Sequence, residues 1–322
     1  MRLTVDLAPR RAGGLRLRHP LIVAAGGAGY GAELLEAVGA QVPGAVITRS
    51  VTREARRGHP APRMRSLPGG LLSSVGLPNP GLEAVLRRQA PRWAGFDVPV
   101  IVSICGEDVD DIGELARTLE IQPDAAGLEL NLACPDRGRA GEPIGLDVEA
   151  SEVATVAARA ATDLPLIVKL TAAAPDMRAI ARAVAAAGAD AISTTSALPA
   201  IALDDQASGP VLGTAYGGLS GPAIKPIGLR AVWEVVQVVR VPVIGIGGVH
   251  SLRDVVDYLA AGATAVGLAT AVLADPFRPG RLARELEAWG AEHGLERVDQ
   301  LVGRALPSRR DRGSLRTGPF RH

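Results

Sequence analysis

Short apolar runs alternate along the chain with segments of helical periodicity. Runs of four to six residues, several rich in Val and Ile, predict eight strands, at residues 21–25, 45–49, 98–103, 127–130, 166–170, 191–194, 243–246 and 265–268. Most of these runs are apolar at nearly every position, which is typical of parallel strands that are buried on both faces. The pattern therefore indicates a parallel sheet rather than antiparallel hairpins.

A segment with helical spacing of apolar residues follows each predicted strand. The helices are expected at residues 32–38, 82–93, 108–119, 152–161, 177–187, 225–239, 252–261 and 281–289. Two of them run into Ala-Gly-Ala, and Gly188 and Gly262 there predict helix C-termini. Eight strand–helix units predict one closed (β/α)₈ TIM barrel over residues 1–306, rather than an open doubly wound sheet. The basic segment 307–322 is predicted to be a flexible tail.

Three connections are much longer than the others, at residues 51–80, 133–147 and 196–222. Connections longer than about 12–15 residues usually serve a site. All three follow strands at the C-terminal face of the predicted barrel, where barrel enzymes keep their chemistry. We therefore expect the functional site at this face.

Composition narrows the class of protein. Hydrophobic residues make up 47% of the 322 residues and charged residues 21%, so a large core is available and global disorder is excluded. The formal net charge of +1 gives no electrostatic case for a nucleic-acid or membrane partner. Two cysteines are too few for a disulfide framework, and neither a signal peptide nor an apolar run of membrane-spanning length is visible. A cytoplasmic location is expected.

Glycines at the ends of the last two strands predict an anion site. Residues 245–249 read Gly-Ile-Gly-Gly-Val just before a helix that begins near Ser251, and residues 267–271 read Gly-Leu-Ala-Thr-Ala. Glycine lets backbone N–H groups approach an anion closely, and a helix N-terminus attracts negative charge. Phosphate sites in this fold are often built from the loops after strands seven and eight. The alternative is that the glycines only make tight turns.

Two further residues at strand ends are candidates for chemistry. Lys169 ends an apolar strand, so it is expected to face the barrel mouth and to need an anionic partner, unless it only reaches the rim. Cys134 follows strand four on the same face, where a thiolate is able to remove a proton from a carbon acid. A cysteine is also often a small buried apolar residue, and Cys105 has no context beyond that interpretation.

Several runs together carry a resemblance to a known family. They are Gly-Leu-Pro-Asn-Pro-Gly at 76–81, Leu-Glu-Leu-Asn-Leu-Ala-Cys-Pro at 128–135, Ile-Val-Lys-Leu at 167–170, Gly-Gly-Leu-Ser-Gly-Pro-Ala-Ile-Lys-Pro at 217–226 and Ile-Gly-Ile-Gly-Gly at 244–248. Between about Leu17 and Leu306 the chain resembles the class 1 dihydroorotate dehydrogenases, and more closely the class 1B catalytic subunit. The resemblance implies an FMN-dependent oxidoreductase of pyrimidine biosynthesis, which oxidises a CH–CH bond of (S)-dihydroorotate to give orotate.

The resemblance also implies roles for individual residues. Cys134 matches the family's loop cysteine, which takes the C5 proton while hydride passes from C6 to flavin N5, and Lys169 matches the lysine beside flavin N1 and C2=O. The positions that match flavin contacts are Ala25, Ser50, Ser103, Asn131, Lys169, Gly221, Gly247, Gly248, Ala269 and Thr270. No metal is implied.

The positions that match the family's substrate contacts depart from its pattern. They are Arg49, Ser73, Gly76, Leu77, Asn131, Asp136, Ser196 and Ala197. Arg49 stands for a lysine and is still able to bind a carboxylate. Asparagines are replaced by Ser73, Asp136 and Ser196, and an ionised carboxylate accepts hydrogen bonds but donates none. These changes keep open two alternatives, a redirected family member acting on another small cyclic amide or heterocycle, and a flavin-binding protein with little catalysis.

Partners follow from the resemblance alone. It implies a homodimer that binds a small-molecule substrate, and a separate iron–sulfur/FAD subunit as a further partner. Two cysteines are too few for this chain to hold such a cluster itself.

Overall fold

The computed structural model describes residues 1–39, 41–134 and 143–307. Eight parallel strands close into a barrel in the order β10-β13-β14-β3-β4-β7-β8-β9. Their bounds are β3 Leu21–Val23, β4 Ala45–Ile47, β7 Val100–Ile104, β8 Gly127–Asn131, β9 Leu166–Lys169, β10 Ala191–Thr194, β13 Val243–Ile246 and β14 Ala265–Leu268. The (β/α)₈ barrel and the position of every predicted strand are confirmed, with ends that differ by at most two residues.

Nine helices are found in the described ranges. They are α1 Ala32–Val38, α2 Leu82–Trp93, α3 Val109–Glu120, α4 Val148–Ala161, α5 Met177–Ala186, α6 Lys225–Val235, α7 Leu252–Ala260, α8 Thr270–Ala274 and α9 Arg278–Glu292. Side chains cap several of them, because Asp108, Asp147 and Asp176 each accept a hydrogen bond from the amide three residues on. After α5 and α7 the predicted glycines adopt positive φ, 106° at Gly188 and 109° at Gly262.

A second sheet, which the sequence pattern does not reveal, is formed by the long connections. Residues 51–80 contain β5 Met64–Leu67 and β6 Gly70–Ser73, and residues 196–222 contain β11 Leu198–Ala200 and β12 Gly217–Ser220. They form an antiparallel sheet in the order β11-β12-β6-β5, in which Ser73 pairs with Gly218. We call these four strands the roof, because they cover the C-terminal end of the barrel. A short hairpin of β1 Val5–Asp6 and β2 Arg16–Leu17 precedes the barrel.

The barrel strands are buried over almost their whole length. Their apolar side chains form one continuous core with the inner faces of the helices. Few aromatic side chains contribute, so Ala, Val, Leu and Ile fill the interior, as is usual in this fold. Within this apolar interior, the four consecutive strands β7 to β10 carry a small group of polar residues near the C-terminal end: Ser103, Glu129, Lys169 and Ser193, all at least nine-tenths buried.

The opposite end of the barrel is held by a buried ion-pair cluster around Asp190. Its carboxylate accepts hydrogen bonds from Arg11 Nε at 3.0 Å, Arg159 Nη1 at 3.0 Å and the amide of Leu166 at 2.9 Å. The group is 8% exposed, and it connects the N-terminal segment, α4 and β9. Removing one partner of such a cluster leaves uncompensated charge in a low-dielectric environment.

We expect Asp190→Ala to lower the free energy of unfolding by about 3 kcal/mol, since Arg11 and Arg159 lose their shared partner but keep some access to water. Denaturant unfolding monitored by circular dichroism measures the change. The matched control is Asp163→Ala, because Asp163 pairs with Arg11 at 3.5 Å but is 92% exposed, and we expect less than about 0.5 kcal/mol there. Equal losses in both variants would contradict a structural role for the buried cluster.

The predicted tail, from residue 308 onward, lies outside the described residues, and so does Asp136. The domain limits therefore stay a prediction. In the described ranges, no helix combines the length and apolar character that crossing a lipid bilayer requires.

Candidate active site

One large cavity opens at the C-terminal end of the barrel, between the strand ends and the roof. Its volume is about 990 Å³. The floor is formed by residues at the ends of the barrel strands, and the upper wall by β6, β12 and the segment around Gly76. The three long connections therefore border one site, as their placement after strands at the same face predicts.

The structure brings nearly all the sequence-predicted site residues together in this cavity. Those that line it are Ala25, Arg49, Ser50, Ser73, Gly76, Leu77, Asn131, Cys134, Lys169, Ser196, Ala197, Gly221, Gly247, Gly248, Ala269 and Thr270. Ser103 is an exception, because it is fully buried beneath the floor and is not part of the lining. Asp136 belongs to the segment that is not described.

The glycine motifs lie at one end of the cavity and present backbone donors to it. Gly247 and Gly248 have φ of 119° and 71°, which favour glycine. Neither of their amides, nor that of Ala269, donates a hydrogen bond to another described residue. Backbone N–H groups clustered in this way bind anions. This geometry suits a phosphate group.

The helix that presents N-terminal amides at this end, unbonded by any described residue, differs from the expected one. The predicted helix at Ser251 is present as α7, but the amides of His250 and Ser251 donate to Asp254 Oδ2 at 2.9 and 2.7 Å. These donors are therefore occupied by the helix's own capping box. The five-residue helix α8, which the sequence did not reveal, begins at Thr270 and brings its first amides to the cavity.

Partly buried ion pairs lie behind the glycine loop. Lys225 Nζ contacts Asp254 Oδ1 at 2.5 Å and Asp257 Oδ2 at 2.8 Å, so that α6 is tied to α7. Burial by itself raises the pKa of Asp254, but the hydrogen bonds from Lys225 and from two amides outweigh it and hold that pKa below its usual value. The hydroxyl of Tyr258 donates to Gly247 O at 2.7 Å. The loop is thereby held in place on two sides.

Lys169 provides a buried positive charge in the middle of the floor. It ends β9, it is 6% exposed and it lines the cavity. No described residue forms an ion pair with its ammonium group. A buried cation needs an anionic partner, so the position favours a ligand that carries negative charge beside Lys169.

Asn131 is anchored to the floor by a chain of hydroxyl groups. Its Nδ2 donates to Ser50 Oγ at 2.9 Å, and Ser50 Oγ lies 2.8 Å from Ser103 Oγ. Its Oδ1 accepts the amide of Ala133 at 3.1 Å. The side chain of Asn131 is therefore fixed on two sides while it still borders the cavity. Ser103 thus supports the site from below.

Cys134 lies three residues beyond the end of β8, on the cavity wall. It is 7% exposed, whereas Cys105 is 1% exposed and does not line the cavity. The two cysteines therefore separate as the sequence context suggested, and only Cys134 is placed to meet a ligand. Among the residues that the structure describes, no group of His, Cys, Asp and Glu side chains has the geometry of a metal site.

Two features of the site escaped the sequence analysis. His59 lines the cavity, and its Nδ1 lies 2.9 Å from the Ser74 hydroxyl. Its ring packs against Gly76, where an added Cβ would approach His59 to 2.5 Å. The second feature is Glu129, which is fully buried beneath Asn131. Neither residue stands in a regular pattern that marks it, since His59 lies in an irregular connection and Glu129 interrupts an apolar strand.

The closed barrel has a large cavity at the C-terminal ends of its strands, and a glycine loop suited to an anion and a buried lysine border that cavity. Together these features define a TIM-barrel enzyme with a phosphate-bearing cofactor. Comparison with known proteins gives the family. The model of the dihydroorotate dehydrogenase family matches residues 9–289, and the chain belongs to this family.

Individual relatives agree with that assignment. The catalytic subunit of dihydroorotate dehydrogenase B (NAD(+)) from Desulforudis audaxviator is 42% identical over 292 residues, which cover 91% of this chain and 95% of the relative. The subunit of the same name from Pelobacter propionicus is 42% identical over 301 residues, 94% of this chain and 97% of the relative. The resemblance to the class 1B catalytic subunit is confirmed. With it, the predicted oxidoreductase of the dihydroorotate dehydrogenase type and its FMN cofactor are supported.

Proposed function

We propose that this chain is an FMN-dependent catalytic chain that oxidises (S)-dihydroorotate to orotate. The observation that carries the proposal is the convergence of Cys134, Lys169 and the glycine amides on one cavity at the barrel mouth. These groups come from three separate parts of the sequence and serve three different needs of the reaction: a base, a cation and an anion cradle.

The residues present fit FMN. The amides of Gly247, Gly248 and Ala269 would hold its phosphate, and Ser220 and Thr270, whose hydroxyls lie 2.8 Å apart, stand beside them. Lys169 would face the flavin ring, where it compensates the negative charge of the reduced form. When bound, the flavin supplies the acceptor for hydride from the substrate. A cavity of about 990 Å³ also leaves room for a small ring next to the cofactor.

The chain's own residues account for the remaining steps. The Sγ of Cys134 would take the C5 proton of the substrate as a thiolate. Arg49 lines the same cavity and would bind the substrate carboxylate through its guanidinium group. Asn131 would donate to the ring from the floor. Loss of the C5 proton to Cys134, together with loss of hydride from C6, would complete the oxidation of the CH–CH bond.

The roof and the connection after β10 would contact the substrate ring. Ser73, Gly76, Leu77, Ser196 and Ala197 all line the cavity in this region. The serine side chains are shorter than the asparagines found in the family at these positions, so direct hydrogen bonds to the ring are fewer. Asp136 is proposed as a further substrate contact on the resemblance alone.

We expect Ser196→Asn to lower the KM for dihydroorotate by roughly fivefold, because a longer amide restores one hydrogen bond worth about 1 kcal/mol. Steady-state kinetics with an artificial electron acceptor measure the change. Ser208→Asn is the control, since Ser208 is exposed, bonds Asp204 and does not line the cavity. A KM that rises in Ser196→Asn would show that the pocket is shaped for another ring.

The names of the relatives support one part of the proposed setting, a separate partner subunit. They are named as catalytic subunits of an NAD(+)-linked enzyme. We propose that this chain likewise acts with a separate iron–sulfur/FAD subunit, that the chain itself forms a homodimer, and that the complex works in the cytoplasm. Co-expression with such a subunit should confer NAD⁺-dependent oxidation of dihydroorotate that the chain alone lacks.

An anaerobic titration tests the proposal directly. The purified protein should be yellow with one FMN per chain, and stepwise addition of dihydroorotate should bleach the visible flavin absorbance. Protein that holds FMN but is not bleached by dihydroorotate would refute the substrate assignment and favour another small cyclic amide or heterocycle. Protein that binds no FMN would refute the cofactor assignment.

A further inference from the structure

A carboxyl group lies inside the barrel, directly below the proposed active site. Glu129 belongs to β8, is 0% exposed and does not line the cavity. Its Oε1 accepts a hydrogen bond from Ser103 Oγ at 3.0 Å, and its Oε2 accepts one from Ser193 Oγ at 3.1 Å. Both oxygens of the buried carboxyl group thus accept hydrogen bonds from hydroxyl groups, one on the adjacent strand β7 and one on β10, the strand beyond β9.

A carboxylate in this position is not explained by stability. Burying it away from water is unfavourable, and replacing buried polar groups by apolar ones of similar volume is often neutral or stabilising. The register neighbour of Glu129 on β9 is the buried Ile167, so the adjoining strand carries an apolar side chain at the corresponding position. A role in the site above is the more economical explanation.

The hydrogen-bond chain above Glu129 has a fixed direction. A serine hydroxyl has one hydrogen, and that of Ser103 is given to Glu129. In the 2.8 Å contact between Ser50 and Ser103, Ser50 must therefore be the donor. Ser50 then accepts from Asn131 Nδ2. One N–H of Asn131 is used below, so its second N–H remains for a ligand in the cavity.

We propose that Glu129 is a positioning residue that, through Ser103 and Ser50, fixes which way Asn131 presents its amide to the cofactor and the substrate. The inference rests on the proposed function for the identity of those ligands. The branch through Ser193 ends at the carboxylate and does not lead to the cavity. Ser103 and Ser193 therefore both bond Glu129, but only Ser103 links Glu129 to Asn131.

This asymmetry gives a matched pair of variants. Ser103→Ala cuts the chain to Asn131, and Ser193→Ala removes the other donor of the same carboxylate. Both serines are fully buried, so the cost of the lost hydroxyl should be similar. We expect Ser103→Ala to weaken orotate binding roughly tenfold and FMN binding several-fold. We expect Ser193→Ala to change either dissociation constant by less than about twofold.

Two titrations supply the readouts. Quenching of flavin fluorescence on addition of apoprotein gives the FMN dissociation constant, and the change in flavin absorbance on addition of orotate gives that of orotate. Equal losses in both variants, or unchanged binding in Ser103→Ala, would overturn the proposal. If the wild type holds FMN but binds no orotate, the substrate assignment fails, and the FMN dissociation constants of the two serine variants and of Glu129→Leu still test the positioning role of Glu129.

A double-mutant cycle separates transmission from general damage. If Ser103 acts through Asn131, adding Ser103→Ala to Asn131→Ala should change the binding of FMN and orotate no further. Additive losses would show that Ser103 acts independently, and would overturn the proposal. Glu129→Leu should reproduce the binding defect of Ser103→Ala, and wild-type binding in that variant would overturn the proposal. Glu129→Met, which has nearly the length of glutamate but no acceptor oxygen, takes its place if Glu129→Leu does not fold.

Discussion

Cys134→Ser should slow the reduction of the bound flavin by dihydroorotate by about 10²–10⁴-fold at neutral pH, the range ascribed to general acid–base catalysis. The substitution keeps the size of the side chain nearly unchanged on the cavity wall. A hydroxyl is a far weaker acid than a thiol, so almost none of it is ionised to take the C5 proton. Stopped-flow measurement of the fall in flavin absorbance gives the rate.

Two further observations distinguish a lost base from a damaged site. The pH optimum of flavin reduction should move upward in Cys134→Ser, because the hydroxyl needs higher pH to act as a base. FMN stoichiometry should stay at one per chain, since the glycine loop and Lys169 are untouched. Cys105→Ser is the matched control, because Cys105 is also buried but does not line the cavity. Wild-type kinetics in Cys134→Ser would mean that this cysteine only packs the wall.

Gly248→Leu should abolish the retention of FMN. At this position φ is 71°, and a Cβ would lie 2.6 Å from the backbone nitrogen of Lys225, which cannot move away as a flexible side chain can. The loop must therefore shift, and the amides of Gly247 and Gly248 lose their common direction toward the cavity. Visible absorbance after gel filtration measures the flavin that remains bound.

The control for this variant is Gly209→Leu, since a Cβ at Gly209 meets nothing within 4 Å. It should purify with full flavin. The thermal unfolding of Gly248→Leu, compared with flavin-free wild type, shows whether the barrel itself survives. Full FMN occupancy in Gly248→Leu would contradict the assignment of the phosphate site.

The barrel could be predicted because its strands bury both faces and therefore appear as uninterrupted apolar runs, such as Val243–Ile246. The roof could not. Its strands are short and half-buried or exposed, and Gly217–Ser220 is half glycine, so neither alternation nor an apolar run marks it. The helix α8, with five residues, is shorter than any periodicity can reveal.

The sequence predicted which residues line the cavity better than it predicted which residues lie beneath its floor. Motifs located Lys169, Asn131 and the glycine loop, and all of them line the cavity. Ser103 was expected to touch the flavin, yet it lies one layer below, because sequence alone does not tell which inward-facing layer of a barrel reaches the surface. Glu129 was missed for the same reason, since its partners Ser103 and Ser193 lie 26 and 64 residues away in the chain.

The roof has a consequence for engineering the enzyme. Its two hairpin-forming segments come from connections more than a hundred residues apart, yet β6 and β12 pair directly, with Ser73 opposite Gly218 and Leu72 opposite Leu219. A loop exchanged alone between relatives would meet a mismatched partner strand. Chimeras that aim to change the substrate should therefore exchange residues 51–80 and 196–222 together. The barrel strands, with the residues proposed to contact the cofactor, then remain as an unchanged scaffold.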